Sequence, residues 1–321
     1  MPIKKIGLLT SGGDAPGMNA AIRAVVRAAI SQRLEVVGIF RGYSGLLNQE
    51  FKSMTSRSVS NIIDRGGTIL KTSRCPEFMT KEGQRKGAEI LKQQMIDGLV
   101  VIGGDGSYRG ALALSRDWGI PCIGLPGTID NDLHGTDRTI GSDTAVETAL
   151  DAIDKIKDTV NSMERIFVVE VMGRNCGYLA MKTALAGGAE QVLIPEIPFE
   201  LSALCQEITE GYIRGKASWI IVVAEGAIKA NELAAKITDV TDLETRVVVL
   251  GHVQRGGVPT AEDRILASRL GVAAVELLIK GEGGKAVGAV CDQIHVVDLS
   301  EAVRPYGLEK KEDLRLIKIL T

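Results

Sequence analysis

The chain has five cysteines in 321 residues, Cys75, Cys122, Cys176, Cys205 and Cys291, and no two form a CxxC pair. That scatter excludes the common zinc frameworks and a disulfide scaffold, and reads as free thiols in a reducing compartment. No run approaches the roughly 18 apolar residues of a membrane span. The opening Met-Pro-Ile-Lys-Lys leads into an apolar stretch too short for a secretion signal, so a cytoplasmic location is expected. Neither charge dominates: 38 Lys and Arg against 40 Asp and Glu leave a formal net charge of −2. A nucleic-acid partner or a polybasic grip on membranes is therefore not expected, and local arginines must meet any anionic ligand. Low-complexity linkers and short-period repeats are absent. What remains, 45% hydrophobic and 24% charged, suits a globular protein long enough for two cores.

Strand-like runs alternate with helix-length amphipathic stretches. Ile6 to Leu9, Val36 to Phe40, Leu99 to Ile102, Ile120 to Leu125, Ile166 to Val171, Gln191 to Ile194, Trp219 to Ala224 and Arg246 to Leu250 read as strands. A helix runs from Ala20 to Ile30. Another follows Gly141, where Val146, Ala149, Ile153, Ile156 and Val160 recur at steps of three and four, with Ser142 as its expected N-cap. Continuous β-branched runs between helices imply strands covered on both faces, hence parallel α/β layers.

Chemistry concentrates where strands end. Gly103-Gly104-Asp105-Gly106-Ser107 follows one run, and Pro126-Gly127-Thr128-Ile129-Asp130-Asn131-Asp132 follows the next. Ligands of parallel sheets bind beyond the carboxyl ends of the strands, so both segments reach one sheet edge. Asp105 suits Mg²⁺, which takes one or two carboxylates and shares phosphate oxygens, or else it is a turn or cap residue. Asp130 suits a base accepting a substrate hydroxyl proton, with Asp132 assisting, or both belong to a capping turn. Thr10 to Asn19, rich in glycine, ends the first strand and opens a helix whose N-terminus favours phosphate, or else it is an ordinary tight strand-to-helix turn; it has no Walker lysine. Arg74, Arg165, Arg174, Arg246 and Arg255 occupy strand-end or turn settings suited to phosphate recognition. Glu225 suits sugar hydroxyls or a helix cap. Alone, His252 reads as a core histidine, and Arg23, Arg27, Arg214 and Lys216 as solvated charges. The combination points to phosphoryl transfer.

In this order the motifs GGDAPGMN, GGDGS, PGTIDND, VVEVMGR and GHVQRGG resemble the bacterial ATP-dependent 6-phosphofructokinases, from the first strand to at least Gly257. The resemblance implies an α/β fold of two Rossmann-like three-layer αβα domains with a cleft between them. It implies a larger ATP-binding domain of residues 1–141 plus 254–304, and a smaller sugar-phosphate-binding domain of 142–253 plus 305–321. The implied reaction, that of a phosphotransferase with an alcohol acceptor, moves the ATP γ-phosphate to the 1-hydroxyl of fructose 6-phosphate in glycolysis.

By the same resemblance Gly13, Tyr43, Arg74, Cys75, Gly104, Asp105, Gly106 and Ser107 bind ATP, Asp105 holding Mg²⁺. Asp130 is the base, with Thr128, Arg174 and Asp132 in catalysis. Thr128, Asp130, Asp132, Met172, Gly173, Arg174, Glu225, His252 and Arg255 meet the sugar phosphate. Arg165 and Arg246 match residues that reach it from a neighbouring subunit, which implies a homotetramer. Arg23, Arg27, Arg57, Lys157, Glu190, Arg214 and Lys216 fall at the family's effector site for ADP and phosphoenolpyruvate. Lys157, Asn61, Ala217 and Ser56 depart from its usual arginine, aspartate, lysine and arginine, so a weakened or altered response is expected. Pyrophosphate-using relatives typically carry aspartate at Gly106 and lysine at Gly127; glycines there leave room for the α-phosphate of ATP. A nucleotide-sensing subunit that had lost chemistry would be expected to lose its base or metal carboxylate, and both are present. A dinucleotide-binding module would need a GxGxxG with its later acidic residue, which is missing.

Overall fold

The computed structural model describes residues 3–163, 165–216, 218–304 and 311–320. Ala217 and residues 305–310, which open the last segment of the expected smaller domain, lie outside the described residues. In chain order the strands are β1 (Lys5–Thr10), β2 (Glu35–Ile39), β3 (Phe51–Met54), β4 (Gly98–Gly103), β5 (Cys122–Pro126), β6 (Ile166–Val171), β7 (Gln191–Leu193), β8 (Trp219–Ala224), β9 (Thr245–Val249), β10 (Lys285–Val290) and β11 (Gln293–Asp298). The chain divides into two compact units, Met1–Thr144 with Arg255–Tyr306, and Ala145–Gln254 with Gly307–Thr321.

The first unit holds a seven-stranded sheet in the order β11-β10-β5-β4-β1-β2-β3. Its five inner strands are mutually parallel, while β3 and β11 run antiparallel to their neighbours at the two edges. All six residues of β4 are buried, as a strand covered on both faces must be. On one face the helices Met18–Ser31 and Ala261–Ile279 pack so closely that a Cβ on Gly271 would stand 2.6 Å from Cβ of Ala24. A core including Leu9, Ile39, Leu91, Leu99, Val101 and Leu114 joins the sheet to the helices Lys81–Gln93 and Asp105–Trp118. Truncating one such leucine to alanine costs about 2–5 kcal/mol.

The second unit holds four parallel strands in the order β7-β8-β6-β9. Its core gathers Ile166, Val168, Ile208, Ile221, Val223, Leu233 and Ile237. β9 lies at an edge, with Arg246 and Val249 exposed.

The expected strands β1, β2, β4 to β9 and both expected helices are present, with ends shifted by one or two residues. The cap of the helix Ser142–Met163 differs from expectation. Ser142 is its first residue, and its hydroxyl donates to the Thr139 carbonyl at 2.8 Å. The carboxylate of Asp263, 1% exposed, instead accepts from the N–H groups of Gly141 at 2.8 Å and Thr144 at 2.9 Å. A buried carboxylate against a helix N-terminus satisfies donors that a serine hydroxyl would have met. Among the described residues no helix is long and apolar enough to cross a membrane.

Candidate active site

Three parallel strands of the larger unit end in register. Thr10 of β1 lies opposite Ile102, and Gly103 of β4 opposite Pro126 of β5. Their loops stay tied together beyond the sheet: Ser11 N–H donates to Ile102 O at 3.0 Å and Gly127 N–H to Gly103 O at 3.1 Å. Gly103 permits this closeness, since a Cβ there would stand 2.5 Å from the Ser11 carbonyl oxygen. Beyond the strand ends opens a cavity of about 690 Å³, bounded by Gly13, Tyr43, Arg74, Cys75, Gly104 to Ser107, Thr128, Asp130, Asp132 and Arg255. The structure thus gathers every residue expected to bind nucleotide, together with the two expected catalytic aspartates, around one space.

Asp105 stands in the first turn of the helix Asp105–Trp118, whose N-terminus favours negative charge. Its Oδ2 accepts from Nε of Arg109 at 2.8 Å, one helical turn on, and this pairing raises the arginine's pKa. Arg109 also donates through Nη2 to the Val303 carbonyl at 3.0 Å. The Asp130 N–H donates to Thr128 Oγ1 at 3.2 Å. Between the aspartates, Asn131 adopts φ 50° and anchors its amide on the Asp137 carbonyl at 3.0 Å. Asp132 is pushed up to about 6, first by burial and then by the Asp130 carboxylate. One Asp132 carboxylate oxygen and the Ser107 hydroxyl are buried without a hydrogen-bond partner, so this wall carries unmet polar capacity.

Tyr43 is 5% exposed, stacks on Phe78 at 4.1 Å between centroids, and donates to the Ser107 carbonyl at 2.6 Å. Arg255 reaches across Gly13: Nη1 donates to Asp14 O at 3.1 Å, and a Cβ on Gly13 would stand 2.2 Å from that nitrogen. The two glycines expected to leave room for ATP differ. A Cβ on Gly106 meets nothing within 4 Å, so the space beside it is open. One on Gly127 would strike Ile102 Cγ2 at 2.8 Å and Met18 Cε at 3.1 Å. Glycine at 127 therefore serves close packing of the strand end, and it also borders the cavity.

In the smaller unit the ends of β6, β8 and β9 also meet. Glu225 N–H donates to Val171 O at 2.9 Å, Gly226 N–H to Gly173 O at 3.2 Å, and Leu250 N–H to Glu170 O at 3.0 Å. Met172, Gly173, Arg174, Glu225 and His252 thus share one sheet edge. Gly173 has φ 133°, and a Cβ on Gly226 would lie 1.8 Å from the Arg174 carbonyl oxygen, so the backbones touch. Gln254, fully buried, accepts from Met172 N–H at 2.8 Å. His252 is exposed, not a core histidine. Glu225 pairs with Lys229 at 3.4 Å.

Arg165 and Arg246 are not brought to that edge. Arg165 precedes β6 and Arg246 is second in β9, at the opposite end of the sheet, where both pair with Glu244. Of the effector set, Arg23 and Arg27 share the helix Met18–Ser31 and Arg57 lies in an exposed turn. In the smaller unit Lys216 pairs with Glu190 at 3.3 Å and lies over the Trp219 ring, and Glu190 also accepts from Ile220 N–H. The Lys157 ammonium lies beside Gly188, and Arg214 is exposed at the end of the helix Leu201–Ile213. Arg109, Phe78 and Gln254 escaped the sequence reading; Arg109 had a signal in its i, i+4 spacing from Asp105.

The family model "Phosphofructokinase" matches residues 5–278. An ATP-dependent 6-phosphofructokinase of Halothermothrix orenii is 54% identical, with 99% of this chain and 100% of that protein covered. One of Clostridium botulinum is 55% identical, with 99% of each covered. The solved structure of Pichia pastoris phosphofructokinase in the T-state superposes with a TM-score of 0.89 at 37% identity, covering 94% of this chain and 38% of that one.

Proposed function

We propose that this chain, which belongs to the phosphofructokinase family, is an ATP-dependent 6-phosphofructokinase. It moves the γ-phosphate of ATP to the 1-hydroxyl of fructose 6-phosphate, releasing fructose 1,6-bisphosphate and ADP. The observation that carries this reading, beside family membership, is the carboxylate wall of Asp105, Asp130 and Asp132 facing a nucleotide-sized cavity at three strand ends.

In this reading Asp130 takes the proton of the attacking hydroxyl as the oxygen–phosphorus bond forms. Thr128 Oγ1 accepts the Asp130 N–H, which orients the base and leaves the threonine's own hydrogen for a phosphoryl oxygen. Burial and then the Asp130 carboxylate push Asp132 up to about 6, so only below that pH does it keep its proton and limit the negative charge beside the base. The guanidinium of Arg174 offsets charge on the transferring group. Met172, Gly173, Glu225, His252 and Arg255 orient the sugar phosphate.

Mg²⁺ fits this wall. Among the described residues no group of three or more His, Cys, Asp or Glu side chains could hold a metal, but Mg²⁺ bound with a nucleotide needs only one or two carboxylates. Asp105 would hold it, with the orphaned Ser107 hydroxyl nearby on the wall. The ion supplies positive charge against the phosphate oxygens.

The placement of Arg165 and Arg246 away from their own strand-end cluster supports a homotetramer in which they serve a neighbouring copy. ADP and phosphoenolpyruvate are proposed as effectors acting through the Arg23, Arg27, Arg57, Lys157, Glu190, Arg214 and Lys216 set. Their action is weakened where Lys157 replaces the bidentate arginine. Residues 1–141 plus 254–304 are assigned to nucleotide and 142–253 plus 305–321 to sugar phosphate, in a cytoplasmic enzyme.

Pyrophosphate is the competing donor, and the open space at Gly106 favours ATP. Phosphorus NMR with Mg²⁺ and fructose 6-phosphate, offering ATP and pyrophosphate in separate tubes, tests this. Fructose 1,6-bisphosphate in the ATP tube alone is expected; product with pyrophosphate alone overturns the donor, and no product in either tube overturns the reaction.

A further inference from the structure

Asp105 is the carboxylate assigned to the divalent cation, yet in this structure it already has a cation. Arg109, one helical turn along, lies on its Oδ2 at 2.8 Å through Nε. The guanidinium is fixed a second time, through Nη2, on the Val303 carbonyl at 3.0 Å. The pair is partly exposed, and both residues line the nucleotide cavity, beside Gly106, Asp130 and Asp132. Three carboxylates around one space repel each other and any polyphosphate that enters, so a positive group among them lowers the electrostatic cost of the empty state.

We propose that Arg109 is a positioning residue of the nucleotide site: it occupies Asp105 while the site is empty and is displaced from it by the divalent cation that arrives with the nucleotide. This rests on the assignment of Asp105 to the metal made above. The exchange is of ionic partners only, and no covalent bond changes. The pair keeps the Asp105 carboxylate turned along its own helix in the empty enzyme, and Val303 O retains the guanidinium close by once the carboxylate is released. The carboxylate therefore binds metal less strongly than a free one would. Because the pair is partly exposed, the effect is modest and is screened by salt.

Calorimetric binding of ADP in excess chelator and across a Mg²⁺ titration, at low and at about 0.5 M salt, tests this without turnover. The quantity to read is the factor by which Mg²⁺ strengthens ADP binding. Arg109→Met should enlarge that factor about two- to five-fold at low salt, with the gain collapsing at high salt, and Arg109→Lys should return it toward the parent value. A factor unchanged or reduced in Arg109→Met overturns the proposal. Asp105→Asn separates the two layers. Loss of Mg²⁺ enhancement there upholds Asp105 as the metal carboxylate, whereas enhancement retained in Asp105→Asn overturns that assignment and the role of Arg109 with it.

Discussion

The larger and the smaller unit build their functional edges alike and furnish them differently. In both, loops leaving the carboxyl ends of parallel strands are laced together by backbone hydrogen bonds, with glycines where the chains come closest. The larger unit gathers the carboxylates Asp105, Asp130 and Asp132 among the arginines Arg74, Arg109 and Arg255, and the smaller places Arg174 and His252, with Glu225 paired to Lys229. The sheet thus supplies only a place, and the side chains set on it decide what chemistry each edge can support. Two of the tight glycines do different jobs. Gly127 admits a neighbouring side chain, whereas Gly226 lets one backbone rest on another.

Among substitutions that leave the carboxylate wall intact, crowding the smaller unit's edge should do the most damage. Gly226→Ala puts a methyl into the Arg174 carbonyl, and the resulting displacement of about an ångström should lower kcat/KM about 100-fold with ATP binding intact, as steady-state kinetics and nucleotide titration would show. Next comes the arginine that crosses Gly13. Arg255→Ser should raise the KM for fructose 6-phosphate about 10- to 100-fold, the worth of a charge-assisted hydrogen bond, while kcat changes far less. A fall in kcat alone would place Arg255 in the chemistry.

The acidic edge should show its charge in stability. Asp132 keeps its proton in the folded state up to about pH 6, whereas the unfolded chain releases it near 3.8. The folded state therefore binds more protons between those values, so this group's contribution to stability is lost as pH rises from about 4 to about 6. Asp132→Asn, melted in chelator without nucleotide, should gain about 3 kcal/mol above pH 7 and almost nothing at pH 3.5. An equal gain at both pH values would remove the charge from the explanation. The smallest effect should lie far from either edge. Cys291 and Asp292 form the β10–β11 turn with φ 48° and 58°, and Asp292→Gly should stabilise the fold by about 0.5 kcal/mol in chemical denaturation.

Strands with continuous apolar runs were legible in the sequence because they are buried on both faces. β3, β10 and β11 were not. β3 and β11 are antiparallel edges with exposed residues, and β10 is built of small residues such as Gly288, whose Cβ would strike the Gly135 carbonyl at 2.2 Å. Asp263 could not be read as the cap of a helix about 120 positions earlier, because nothing local marks it. The gathering of Asp105, Thr128, Asp130 and Asp132 was legible, since strand order and strand ends place it. Which way a missing Cβ points was not, which is why Gly106 and Gly127 looked equivalent in sequence and part company in three dimensions.

The division of labour between the two edges is tested most directly by single-turnover phosphoryl transfer in Asp130→Ser, with fructose 6-phosphate and MgATP binding measured on the same protein. The account predicts both affinities within a few-fold of the parent and a transfer rate lower by about 10²–10⁴, the contribution of a positioned base. An unchanged transfer rate would contradict it, and would move the chemistry away from the carboxylate wall.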